Sequence, residues 1–296
     1  MFYGIHPAIV TPFDDDGSVN YSSYETLCGY LADGGVHGIY VCGTTGEFPF
    51  LTVEERKKLL EIALQSVGKR MTVLVQVGHN ALQPTVELAR HAQKVGAKGA
   101  GVIAPYYYGY DEEALFQYYS AILNAVPDFP VLLYNLPQRT GVNLSLAVME
   151  RLKARHRNLA GVKESGGFDK IQQWLTLQDD TFRVFCGIDE YEYDSFRCGC
   201  RAIVASFGNW LPNTFRTFVE AADGGDWETA RSMQDRIIRM VGPGLTVNQI
   251  AVLKAGLNLK GLPAGHVRSP NRDLSAGEVE ILREILESLG FFEGAL

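Results

Sequence analysis

Leu159-Ala160-Gly161-Val162-Lys163-Glu164-Ser165-Gly166-Gly167 reads as a strand that ends in a glycine break. Leu159, Ala160 and Val162 are the apolar residues that a strand buried on both faces requires, and Lys163 interrupts them. An amphipathic stretch, Lys170–Leu177, follows, so the segment forms a strand–loop–helix unit. Lysine is rarely buried unless it is paired or put to use. Two readings of Lys163 follow from its surroundings. Either its ammonium reaches past the strand end into water, or it is an enclosed amine able to condense with a carbonyl as a Schiff base.

The same unit recurs on both sides of this stretch. Strand patterns fall at Pro7–Pro12, Gly38–Gly43, Thr72–Gly78, Gly99–Pro105, Pro130–Pro137, Arg183–Asp189 and Ala202–Asn209. Helical patterns alternate with them at Tyr21–Asp33, Val53–Val67, Leu82–Val95, Glu112–Ala125, Leu146–His156, Tyr191–Cys198 and Thr214–Ala222. Thr52 with Glu55 predicts a capping box at the start of Val53–Val67. Eight strand–helix units at a spacing of about 25–30 residues predict a (β/α)8 TIM barrel over residues 1–224. An open doubly wound sheet would place a Gly-x-Gly-x-x-Gly turn after its first strand, and none is there. Three more helical segments, Trp227–Met240, Gln249–Leu259 and Ala276–Leu289, predict a helical extension over residues 225–296 that rests on the barrel.

The 296 residues are 46% hydrophobic and 21% charged, as in ordinary globular proteins. A net charge of -7 and a pI near 5.4 argue against a nucleic-acid or anionic-membrane partner, and leave room for an anionic small substrate held by local positive groups. No charged and apolar leader opens the chain, and the apolar runs are strand-sized. Cys28, Cys42, Cys186, Cys198 and Cys200 are odd in number and scattered, which fits reduced thiols in a cytoplasmic protein and supplies no zinc spacing. No metal and no organic cofactor are expected.

In a barrel of this kind the reactive groups stand at the C-terminal ends of the strands. That rule selects Thr11, Thr44, Thr45, Tyr106, Tyr107, Tyr134, Asn135, Lys163, Ser165, Asp189, Glu190, Ser206 and Asn209. Gly43-Thr44-Thr45-Gly46 puts two hydroxyls and backbone N–H groups at the start of a helix, where they cradle a carboxylate or merely cap the helix. Tyr134 stands one strand before Lys163 at matching height, as an acid/base or as a core tyrosine with a satisfied hydroxyl. Arg139 can bind a carboxylate bidentately, or be solvated in its loop. Tyr106-Tyr107-Tyr108 suggests an interface or a site wall. Asp189 and Glu190 suit the hydroxyls of a polyol, or the cap of the next helix.

Five segments together carry a resemblance. They are Gly4–Phe13 (GIHPAIVTPF), Gly43-Thr44-Thr45-Gly46-Glu47, Ala104-Pro105-Tyr106-Tyr107, Leu133-Tyr134-Asn135-Leu136-Pro137 and Gly161-Val162-Lys163-Glu164. Their order and spacing resemble the pyruvate-dependent class I aldolases, the family of dihydrodipicolinate synthase and N-acetylneuraminate lyase, over about residues 1–290. The resemblance implies that Lys163 forms an imine with pyruvate and that Thr44 and Thr45 hold the carboxylate. It makes Tyr134 the acid/base, linked through Thr44 to Tyr107 in a relay that the neighbouring subunit completes. The implied assembly is a homotetramer, a dimer of tight dimers.

Within the family, Arg139 in Pro-x-Arg-Thr-Gly resembles the arginine that binds aspartate semialdehyde in the synthases, which makes condensation of pyruvate with that aldehyde the leading expectation. Gly187-Ile188-Asp189-Glu190 and Ser206, with Ile203 nearby, resemble the hydroxyl-binding positions of the sialic-acid lyases. Gly46-Glu47-Phe48-Pro49-Phe50, which puts large apolar groups beside the pocket, resembles 4-hydroxy-2-oxoglutarate aldolase and the sugar-acid lyases. The alternative is therefore an aldolase of a hydroxylated 2-oxo acid such as N-acetylneuraminate, a 2-keto-3-deoxy sugar acid or 4-hydroxy-2-oxoglutarate. A non-catalytic binding relative fits least, because the lysine, tyrosine and threonine set is whole. Asn80 and Tyr106 match part of the lysine feedback site of some synthases, but Pro84 stands where that site needs a glutamate.

Overall fold

The computed structural model describes residues 2–241 and 248–292. Eight strands run parallel: β1 (Gly4–Ile5), β2 (Gly38–Val41), β3 (Thr72–Gln76), β4 (Gly99–Ile103), β5 (Val131–Asn135), β6 (Leu159–Glu164), β7 (Arg183–Cys186) and β8 (Ala202–Ile203). Each pairs with its neighbour from β2 through β8, and β8 pairs with β1. An isolated parallel bridge from Ala8 to Tyr40 joins the first strand to the second, so the sheet returns on itself. This is the (β/α)8 barrel that the alternation predicts.

The helices are α1 (Tyr21–Asp33), α2 (Val53–Val67), α3 (Leu82–Val95), α4 (Glu112–Ala125), α5 (Pro137–Thr140), α6 (Leu146–Arg155), α7 (Phe168–Leu175), α8 (Glu192–Arg197), α9 (Pro212–Asp223), α10 (Trp227–Val241), α11 (Gln249–Leu259) and α12 (Ala276–Ser288). Thr52 and Glu55 form the expected capping box on α2. The short α5 turn was not legible in the sequence: Pro137 sits in its first turn, where a missing N–H costs nothing.

Several strands end two or three residues early, and two differ more from expectation. The first lies at Gly4–Ile5 rather than Pro7–Pro12, because Pro7 and Pro12 donate no ladder hydrogen bond. The chain beyond it stays extended only far enough for His6 and Ala8 to donate to the Ile203 and Ala205 carbonyls. The eighth strand ends at Ile203, and Phe207–Asn209 forms a 3-10 turn instead of more strand.

Inside the barrel Ala8, Tyr40, Leu74, Leu132, Phe185, Ala202 and Val204 pack on one another, and the larger core fills the space between sheet and helices. Tyr40 reaches across the interior because position 101 is glycine; a Cβ there would occupy the space of its hydroxyl. Alternation along β6 turns Lys163 inward. Glu164 turns outward, where its carboxylate accepts from Trp174 Nε1 of α7 (2.5 Å) and Asn135 Nδ2 (2.9 Å).

The C-terminal helices are tied to the barrel by specific bonds. Gln234 of α10 donates to the Asp189 carbonyl at 2.8 Å, and Trp210 Nε1 donates to the Leu253 carbonyl of α11 at 2.8 Å. Residues 242–247 and 293–296 of the expected extension lie outside the described residues. Among the described residues, no helix is long and apolar enough to cross a membrane.

Candidate active site

The strand register places Lys163 of β6 level with Tyr134 of β5 and Phe185 of β7. Lys163 is only 6% exposed, and its Nζ lies 3.8 Å from the centroid of the Tyr134 ring and 5.5 Å from that of Tyr40. The lysine therefore does not reach past the barrel mouth into water. It points into a cavity of about 250 Å³ walled by Thr44, Thr45, Tyr134, Arg139, Ser165 and Asp189, among others.

Gly187 makes room for it. A Cβ at that position would stand 3.0 Å from Lys163 Cε and collide with the Ser165 hydroxyl. Ser165 instead donates to the Gly187 carbonyl at 2.9 Å.

The Tyr134 hydroxyl is 3.3 Å from Thr44 Oγ1. Burial pushes this phenol up, but the Lys163 charge and hydrogen bonds from Thr44, Lys163 and Ser165 outweigh burial and leave it below the ordinary tyrosine value. A phenol eased toward ionisation beside an amine is suited to passing protons. On the other side of the cavity Thr45 Oγ1 meets Ser206 Oγ at 2.9 Å.

Thr44 and Thr45 lie in a turn rather than at a helix start, because α2 begins only at Val53 and has its own cap. Backbone strain frames this turn. Cys42 (φ 53°) and Glu47 (φ 57°) occupy the left-handed region, which non-glycine residues hold only when surrounding structure compels them. The compulsion on Glu47 is a buried ion pair: its carboxylate binds Lys254 of α11 at 2.6 Å, with side chains 0% and 1% exposed. Arg268 N–H (3.1 Å) and Asn271 Nδ2 (3.0 Å) donate to the other oxygen. The C-terminal helices thus set the position of the threonine turn.

Asp189 is buried in the cavity wall and accepts from Phe207 N–H at 3.1 Å. Burial raises its carboxyl to about 7, with Glu190 adding to the rise and the Phe207 bond and Lys163 charge opposing it. The folded chain thus holds this proton up to about pH 7, while the unfolded chain releases it near 3.8. The resulting stabilisation is full below 3.8 and is lost as pH rises to about 7. Asp189→Asn should remove that loss. Urea unfolding should find the variant more stable than the parent at pH 8 by about 2–4 kcal/mol and equal to it near pH 4. An equal difference at both pH values would refute the ionisation argument.

Several other strand-end polar groups serve the backbone. Thr11 Oγ1 donates to the Gly46 carbonyl at 2.8 Å, Asn209 donates to Ala8 O at 2.8 Å, and Asn135 accepts from Leu144 N–H at 3.0 Å. Arg139 is exposed at the cavity rim. Two expected site residues are not brought to the cavity of this chain. Ile203 is fully buried in β8 within the core, and Tyr107 is 85% exposed with φ 86°, its ring edge-on to Tyr108 at 5.0 Å. Conversely, α11 contributes Gln249, Ile250 and Leu253 to the cavity wall, which the strand-end rule does not reach. Among the described residues, no group of three or more His, Cys, Asp and Glu side chains is placed to hold a metal.

A (β/α)8 barrel whose mouth encloses a lysine beside a tyrosine–threonine pair defines a class I carbon–carbon lyase. The chain belongs to the dihydrodipicolinate synthetase family, whose sequence pattern matches residues 1–289. It is 33% identical over 291 residues to the 4-hydroxy-tetrahydrodipicolinate synthase of Syntrophus aciditrophicus, covering 98% of this chain and 99% of that one. The wild-type sialic acid aldolase of Ruminococcus gnavus superposes with a TM-score of 0.92 at 29% identity over 97% of each chain. The dihydrodipicolinate synthase of Cyanidioschyzon merolae, solved with lysine bound, gives 0.92 at 28% identity, covering 98% of this chain and 99% of that one.

Proposed function

We propose that the protein condenses pyruvate with aspartate semialdehyde, giving 4-hydroxy-tetrahydrodipicolinate. The observation that carries this reading is the enclosed Lys163 amine, stacked at 3.8 Å over Tyr134, whose hydroxyl meets Thr44. In the proposed reaction Thr44 and Thr45 hold the carboxylate of pyruvate while Nζ attacks C2. Tyr134 gives its proton to the departing oxygen, water leaves, and an iminium remains. Loss of a C3 proton makes the enamine, whose C3 attacks the aldehyde carbon, and the lysine returns when the product's amine or water displaces it. The iminium is itself the electron sink, so the chemistry asks for no metal or organic cofactor. Borohydride added with pyruvate should fix a covalent adduct on the peptide holding Lys163; an unmodified peptide overturns the mechanism.

Arg139 has the charge and the rim position to receive the aldehyde's carboxylate. Arg139→Ala should raise KM for aspartate semialdehyde by about 10²-fold, the loss of a charge-assisted hydrogen-bond pair, with the pyruvate adduct still trapped. An unchanged KM removes that role and favours the second reading, cleavage of a hydroxylated 2-oxo acid such as N-acetylneuraminate. The buried Asp189 and the Thr45–Ser206 pair support that second reading, because they could bind sugar hydroxyls.

We further propose a cytoplasmic homotetramer in which Tyr107 completes the proton relay of a neighbouring subunit. Its exposure and left-handed backbone hold it away from its own cavity, and the five cysteines are unpaired. Lysine should not inhibit the enzyme strongly. Asn80 and Tyr106, the residues that match part of a lysine site, are joined by a 2.8 Å bond from Tyr106 N–H to Asn80 Oδ1, but Pro84 offers no carboxylate to the ligand's ammonium. Tight inhibition by lysine in the condensation assay would refute this.

A further inference from the structure

A second chamber of about 220 Å³ opens beside the catalytic cavity and shares Thr44, Leu136, Arg139 and Ile250 with it. Its far wall is Phe48, Phe50 and Tyr106, with the Phe48 and Tyr106 rings edge-on at 6.2 Å.

Thr44 and Arg139 stand on the side shared with the catalytic cavity, and the other polar side chains around the chamber are committed elsewhere. Thr140 donates to the Leu136 carbonyl at 3.0 Å, Glu47 is bound to Lys254, and Asn248 donates to Asn271 at 2.6 Å. An occupant therefore meets aromatic and aliphatic surface on the side away from Lys163. Water there would find few partners, and apolar cavities of even about 150 Å³ accept a benzene ring. Away from Arg139, aspartate semialdehyde, with its ammonium and carboxylate, has nothing to place against this aromatic wall.

We infer that the Lys163 enamine also takes aldehydes whose body is an aryl or branched alkyl group, the body lying in the Phe48–Phe50–Tyr106 chamber. This rests on the imine mechanism proposed above. The step forms one carbon–carbon bond, from C3 of the enamine to the aldehyde carbon. The proton that C3 gave up is balanced by the one the aldehyde oxygen gains. Water then hydrolyses the iminium and frees Lys163, with no net oxidation or reduction. The product is a 4-hydroxy-2-oxo acid with an apolar group on C4, and its cleavage is the reverse step.

Benzaldehyde with pyruvate is the probe, and the rate of 4-hydroxy-2-oxo-4-phenylbutanoate formation, read by mass spectrometry, is normalised to the borohydride-trappable pyruvate adduct. Turnover by the parent protein is expected, with at least a tenfold fall in the normalised rate for Phe50→Asp, which puts a charge in the chamber. If Phe50→Asp fails to fold, Phe50→Trp tests the same wall by bulk, with the same fall expected. A trappable adduct without benzaldehyde turnover overturns the inference and leaves the imine mechanism standing. Absence of the adduct overturns the mechanism itself. Turnover that the folded Phe50 variant leaves unchanged means that the ring does not occupy this chamber, and overturns the inference as well.

Discussion

Lys163→Ala should lower kcat/KM for pyruvate-dependent condensation by at least about 10⁴-fold, the scale on which removing a covalent nucleophile acts. Nothing else in the cavity wall can replace the amine: Tyr134, Thr44, Thr45 and Ser165 offer hydroxyls, and Arg139 offers a delocalised guanidinium in place of an amine. For the same reason Lys163→Arg should not rescue the reaction. Both variants should keep the circular dichroism of the barrel, because the interior packing of Ala8, Tyr40, Leu74, Leu132 and Phe185 does not depend on the ammonium. Stopped-flow assay beside borohydride trapping reads both effects. A Lys163→Ala protein retaining more than about one per cent of activity would end the imine mechanism, since Brønsted groups alone supply about 10²–10⁴-fold.

Lys254→Met should destabilise the protein by about 3–5 kcal/mol, because it leaves the Glu47 carboxylate buried with its cation removed. Burial lowers the Lys254 ammonium to about 8 even though Glu47 holds it up, which shows how much desolvation this pair carries. The double variant Glu47→Gln with Lys254→Met should recover most of the loss, since no unpaired charge stays behind and Arg268 N–H and Asn271 can bond the amide oxygen. Urea unfolding of the parent, the two single variants and the double variant measures the coupling. Additive losses would mean that the pair matters as two separate contacts. In Lys254→Met the turn at Gly43–Phe50 should also drift, raising KM for pyruvate, because Glu47 anchors the segment that carries Thr44 and Thr45.

The Glu47–Lys254 pair shows how far sequence reading went. Lys163 drew notice as a charge in an apolar strand, and Lys254 in Ala251-Val252-Leu253-Lys254-Ala255-Gly256-Leu257 is isolated in the same way, on a helix. Glu47 before Phe48-Pro49-Phe50 is its counterpart. Each half of the signal was visible, but the two lie 207 residues apart, and no local pattern joins them. Thr11, Asn135 and Asn209 show the opposite limit. They satisfy the strand-end rule as well as Thr44 does, yet their side chains close turns and neighbouring loops. A strand end can point its polar group at the cavity or at the backbone, and residue type does not distinguish the two.

By itself the sequence determined the barrel, the helix positions to within a turn, the lysine and its tyrosine partner. These are local properties: side-chain period, glycine and proline breaks, and a charge out of place in an apolar run. Only the tertiary structure decided which polar ends face one another across the cavity and that α11 walls it. It also decided that an ion pair from the C-terminal helices fixes the threonine turn, and that an apolar chamber adjoins the lysine. Those outcomes depend on where strands far apart in sequence come level, and on how much water their packing excludes. Both are settled only when the ring of strands closes at Ala8 and Tyr40.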